Sequence, residues 1–116
     1  MNIQIFGLRN NSECRKAERF FAERRIKVHF VDLKVKPIAP GELRRFIERL
    51  GLPAIIDTDS KPYRDDGLQY LRLSPEQWAE RLIAQPALLR LPLVRNGQQF
   101  TVGAAETEWK AWIAAG

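Results

Sequence analysis

Cys14 is the only cysteine in the chain and His29 the only histidine, so thiol and imidazole chemistry have one candidate each. A thiol acts as a nucleophile once it ionises. Cys14 lies near the start of an expected helix, with Arg15 and Lys16 beside it. The positive end of a helix and adjacent cations both lower a thiol pKa. The same residue falls on an apolar stripe with Ala17 and Phe21, and free cysteine commonly serves as a small buried hydrophobe. Burial is the stronger expectation. Helix-end electrostatics are worth about 0.3–1 kcal/mol near solvent, whereas a shielded sulfur cannot be attacked. A modifiable, redox-sensing Cys14 is the alternative.

Asn11 and Ser12 precede the same helix. Their amide and hydroxyl could bind an anion together with the helix amides, or simply cap the helix; capping is the expectation. His29 alternates with Val28 and Phe30 on a strand, which suits a solvent-facing or edge position better than a catalytic base. One Cys and one His leave too few nitrogen and sulfur ligands for a zinc site, so no metal is expected. Asp65-Asp66 has the character of a turn. Trp109 and Trp112 share one face of the last helix and are expected in the core, so nucleic acid is not expected as a direct ligand.

The elements that position these residues follow from spacing. Ile3 and Ile5 alternate with Asn2 and Gln4, giving a strand over residues 2–7. Cys14, Ala17, Phe20 and Phe21 recur every three or four residues, giving a helix over 12–25. Val28, Phe30 and Val31 mark a second strand over 27–33, parallel to the first because a helix separates them. Leu43, Phe46, Ile47 and Leu50 line a helix from residue 40 or 41 to 50, ended by Gly51 and Pro53. Residues 54–56 are apolar and short, 57–66 polar and turn-like, and 67–71 suit a brief helix. Ser74 and Pro75 open another helix, running to about residue 84. A hairpin is expected from strands at 92–95 and 99–102 around Arg95-Asn96-Gly97. A last helix covers 106–114.

The 116 residues suit one domain over 1–116. With 45% hydrophobic and 28% charged residues the chain is neither a disordered polymer nor a disulfide-stapled miniprotein. No apolar run is long enough for a transmembrane helix, and the first residues lack the pattern of a signal peptide. A lone cysteine cannot form an internal disulfide, which suits a cytoplasmic setting. Net charge is +5, and residues 1–50 carry 12 Lys or Arg against 6 Asp or Glu. A basic half invites an acidic partner, although basic side chains on helices are usually a solvated face.

Three stretches carry a family resemblance. Phe6-Gly7-Leu8-Arg9-Asn10-Asn11, followed by Arg15-Lys16-Ala17, resembles the ArsC/Spx family (arsenate reductase and its relatives), most closely its small glutathione-dependent-reductase-like branch. Gln85-Pro86-Ala87-Leu88-Leu89-Arg90-Leu91-Pro92-Leu93-Val94 resembles the family's Pro-x-Leu-Ile-x-Arg-Pro-Ile-Val segment, and Val102-Gly103 its closing turn. The resemblance implies an α/β fold of the thioredoxin-like kind, a four-stranded mixed sheet with a helical insertion, and a cis peptide at Leu91-Pro92. It implies glutathione or glutaredoxin as redox partners of an enzyme, or RNA polymerase as the partner of an Spx-like regulator.

The departures from the family pattern bear on activity. The family's nucleophilic cysteine falls on Asn11, and its two oxyanion-binding arginines fall on Asp59 and Leu91. An amide has no thiolate form. A carboxylate and a leucine cannot stabilise an oxyanion. Cys14 matches the resolving cysteine of two-cysteine relatives. Arg90 and Arg64 are close in sequence to the missing arginines without matching them. The resemblance therefore leaves Asn11, Ser12, Arg90 and Pro92 as candidate ligand residues, no confident catalytic residue, and the expectation of a degenerate thiol site with no arsenate reduction.

Overall fold

A computed structural model describes residues 1–116. Strands β1 (Ile3–Gly7), β2 (Val28–Asp32), β3 (Leu93–Asn96) and β4 (Gln99–Val102) form one sheet in the order β2-β1-β3-β4. β1 and β2 are parallel, joined by helix α1 (Ser12–Glu23). β3 runs antiparallel to both β1 and β4. Between β2 and β3 lie α2 (Pro40–Leu50), α3 (Leu52–Ile55), α4 (Lys61–Asp65) and α5 (Pro75–Ala84), and α6 (Glu106–Ala115) closes the chain. This is the mixed four-stranded α/β architecture that the resemblance implied. No helix is long and apolar enough to cross a membrane.

Period-two alternation divides β1 between two cores. Ile3 and Ile5 pack with Ala17, Phe20 and Phe21 of α1, Val94, and Trp109 and Trp112 of α6. Phe6 packs on the other face with Leu43 and Phe46 of α2, Leu93, and the inserted segment's Ile55, Leu68, Leu82 and Leu88. Phe6 and Phe46 meet edge to face at 5.8 Å, and Phe46 meets Phe100 at 4.9 Å, a geometry that suits the aromatic quadrupole. The indole of Trp109 is buried but donates to Thr101 Oγ1 at 2.9 Å, so its polar atom is satisfied.

Several boundaries differ from the sequence expectation. α1 stops at Glu23, because Arg24 leaves helical geometry and Arg25 adopts φ +58° to turn the chain into β2. The polar stretch 57–66 is not all turn: Ser60 caps Tyr63 N–H and Pro62 sits in the first turn of α4. Residues 67–71 reduce to a 3-10 turn over Leu68–Tyr70. The hairpin turn lies one position later than expected. Arg95 and Asn96 are in β3, Asn96 pairs with Gln99, and Gly97 takes φ +59°. Ser74 and Gln77 form the reciprocal capping box at α5.

Candidate functional site

The candidate site is the junction between β1 and α1. β1 ends at Gly7, whose neighbour Phe6 is registered against Leu93 of β3. The chain then turns, with Asn11 N–H donating to the Leu8 carbonyl at 3.1 Å. Asn11 is the N-cap of α1, extended at φ −87° and ψ 126°, and its Oδ1 accepts Cys14 N–H at 2.9 Å. One of the helix's orphan donors is thereby satisfied, and the amide oxygen is committed to it.

Cys14 follows inside the first turn and is wholly buried. Burial pushes its thiol up to about 11, because a thiolate there would lose its hydration. A backbone hydrogen bond from Leu8 works the other way. Glu18 and Glu13 add to the rise, and Arg15 opposes it. The sulfur sits against Gly7: a Cβ built there would lie 2.4 Å from Cys14 Sγ and 3.5 Å from the Phe30 ring. Glycine at position 7 is therefore a packing requirement. Arg9 covers this corner from outside, its guanidinium 4.0 Å from the centre of the Phe30 ring and 2.9 Å from Glu18.

The opposite wall is the start of β3. Leu91-Pro92 is cis, and Pro92 C=O accepts Gly103 N–H at 2.9 Å. Leu91 is buried in the core. Arg90 runs along Gly103 and donates from Nη2 to the Ile56 carbonyl at 3.2 Å. Arg64 Nη2 donates to the Asp59 carbonyl at 2.7 Å. Asn11 and Ser12 thus share the helix start, and strand pairing brings Pro92 near the end of β1. The Arg90 and Arg64 guanidinium groups are each engaged with a backbone carbonyl. A groove of about 680 Å³ opens next to the junction, between Leu8, Asn10, Lys34 and the Ile83–Ala87 stretch. Its lining includes Asn10 but not Asn11, Ser12, Arg90 or Pro92.

Three residues escaped the sequence reading. Gly7 had a readable signal, a glycine between a strand and a helix that must approach closely. Lys34 in the groove had none. Arg95 was expected at the end of the third strand, beside the turn. It is instead nearly buried, with Nη1 2.6 and 2.7 Å from the two oxygens of Glu42. Its Nη2 donates to the Gly97 carbonyl at 2.8 Å.

The global transcriptional regulator Spx 2 of Oceanobacillus iheyensis is 25% identical over 115 residues, which cover 97% of this chain and 84% of that protein. The solved structure of the YFFB protein superposes with a TM-score of 0.86 at 22% identity, covering 95% of this chain and 97% of that one. An arsenate reductase from Vibrio cholerae superposes at 0.78 with 19% identity, covering 88% and 89%. These superpositions establish a common fold. The ArsC family model matches residues 6–112, nearly the whole span from β1 to α6, and the chain belongs to the ArsC family.

Proposed function

We propose that this ArsC-family protein carries a degenerate thiol site and acts by binding a protein partner, not by reducing arsenate. The observation that carries the reading is the Asn11 amide in its capping bond to Cys14 N–H, at the position where the resemblance puts the nucleophile. Attack on arsenate requires a thiolate, and its transition state requires cationic groups aimed at the oxyanion. Asn11, Asp59 and Leu91 supply neither. Cys14 is the remaining thiol, and its burial and raised pKa keep it protonated and shielded. Glutathione would find no sulfur at position 11 with which to form a mixed disulfide.

The binding half of the reading is supported by charge. Arg19, Arg25, Lys27, Lys34 and Lys36 in the basic half are exposed and enter no ion pair. A relative of similar length is a transcriptional regulator, a role compatible with contact to a protein partner. Glutathione- and glutaredoxin-coupled arsenate reduction tests the reading directly. The wild type is expected to give no turnover above a protein-free blank. Its thiol is expected to react slowly with a disulfide reagent when native and quickly once denatured. Saturable turnover lost in Cys14→Ala would sink the proposal.

A further inference from the structure

We propose that the outer edge of β2 receives an extended acidic segment of a partner protein as a fifth strand of the sheet. This builds on the binding reading and assigns it a surface and a partner chemistry. The strand order leaves β2 terminal. Leu33 N–H donates to the Gly7 carbonyl at 2.9 Å, and Phe30 and Asp32 are registered against Ile5 and Gly7. Backbone groups of consecutive strand residues alternate in direction. Those of His29 and Val31 therefore face β1, and those of Val28, Phe30 and Asp32 face outward. The Asp32 carbonyl is already taken by Val35 and Lys36 N–H, at 3.0 and 2.9 Å. Val28 and Phe30 keep both donor and acceptor on the open side, and Asp32 keeps its donor. A shallow groove of about 280 Å³ lies along this edge, bounded by Val35, which is 81% exposed, and Lys36.

Charge selects the occupant. Arg25 and Lys27 stand at one end of β2, Lys34 and Lys36 at the other, and the exposed His29 lies between. None of the four Arg and Lys side chains is in an ion pair. Asp32, the one acid on the strand, has its Oδ1 held by Lys34 N–H at 3.0 Å. Lysines bordering an open edge repel a second basic edge, which disfavours pairing between two copies of this chain. They attract a strand with acidic residues near its ends. In strand addition, main-chain hydrogen bonds supply affinity and side chains supply selection.

The test uses the full chain and a fluorescein-labelled peptide of alternating valine and threonine between glutamate pairs. Anisotropy reads binding, and amide hydrogen exchange reads its place. Saturable binding is expected, with slowed exchange at the Phe30 and Asp32 amides. Lys27→Glu/Lys34→Glu/Lys36→Glu should weaken it by about tenfold or more. Arg44→Glu/Arg45→Glu on α2 should leave it nearly unchanged. A peptide with its alternate amides N-methylated should not bind. Equal binding of the N-methylated peptide would reduce the contact to charge adhesion and overturn the proposal. So would loss of binding in the α2 variant alone, absence of binding, or tighter binding of a single-stranded oligonucleotide. These failures would leave the binding reading standing, since that reading falls only with the turnover described above.

Discussion

The first turn of α1 and the outer edge of β2 meet at one residue and are built in opposite senses. The Phe30 ring packs close to Gly7 beside Cys14, while its backbone faces outward along the sheet edge. On the helix side the groups that could do chemistry are already engaged, Arg90 and Arg64 by backbone carbonyls although both side chains are exposed. The Asn11 amide caps, the Cys14 sulfur is buried, and Arg90 and Arg64 hold backbone carbonyls. On the strand side the backbone groups and cations are turned to solvent. Chemistry needs a group that is both activated and reachable, whereas recognition needs only reach and complementarity. Under the binding role proposed above, the closed corner has no chemistry to offer and the open edge is the surface left to recognise a partner.

The strongest way to break the contrast is to open the closed side. Gly7→Ala places a methyl group against the wholly buried Cys14 Sγ, so the sulfur or the backbone around it must shift. Overpacking of this kind should cost about 3 kcal/mol in urea denaturation. Cys14→Ala in the same background removes the clashing sulfur and should recover about 1 kcal/mol or more relative to additivity. Strictly additive costs would mean that helix and strand separate freely, and that the thiol is less enclosed than its burial indicates.

Alkaline pH probes the same enclosure without mutation. The Cys14 thiol ionises at about 11 in the folded chain against an ordinary value of 9.0. Below pH 9 both states hold the proton, and the group has no effect on stability. Between about 9 and 11 the unfolded state releases it while the folded state retains it, so stability falls as pH rises. By pH 10.5 the loss should reach about 2 kcal/mol. Cys14→Ala should lack this component of the decline when pH-dependent denaturation curves are compared. Identical curves for the two proteins would place Cys14 in contact with water.

How much of this was legible beforehand depended on whether a feature was local. The β1 alternation, the α1 stripe and the Ser74 cap are periodic or capping signals within a few residues, and each element formed close to its expected place. The three stretches that carry the family resemblance identified the fold. Some boundaries that moved were set by a single unusual backbone angle, such as Arg25 at φ +58°, whereas α4 rests on the Ser60 cap. The Arg95–Glu42 pair joins residues far apart in sequence, and nothing local marks Arg95 for burial. At the site, Asn11 and Cys14 were readable because their contact is three residues long. The engagement of Arg90 with Ile56 was not, because it spans the inserted helices. The free edge of β2 required the strand order, which a sequence of short apolar runs does not specify.

The smallest expected effect sharpens the contrast from the open side. The Lys27, Lys34 and Lys36 side chains are exposed and pair with no carboxylate, so each can be reversed to glutamate without breaking an ion pair. Surface substitutions of this kind usually change stability by no more than about 0.5 kcal/mol. The chain carries a net charge of +5, and reversing basic residues also relieves part of its self-repulsion. Each reversal should therefore be neutral or slightly stabilising at low salt, with any gain fading as salt screens it. Thermal melts of the single variants at two salt concentrations would measure this. The outcome matters because of its pairing with Gly7→Ala: the closed corner should lose stability, and the open edge should lose only its acidic partner. A lysine whose reversal cost about 2 kcal/mol would be bracing the sheet, and the edge of β2 would then be part of the scaffold, not a surface left open for another chain.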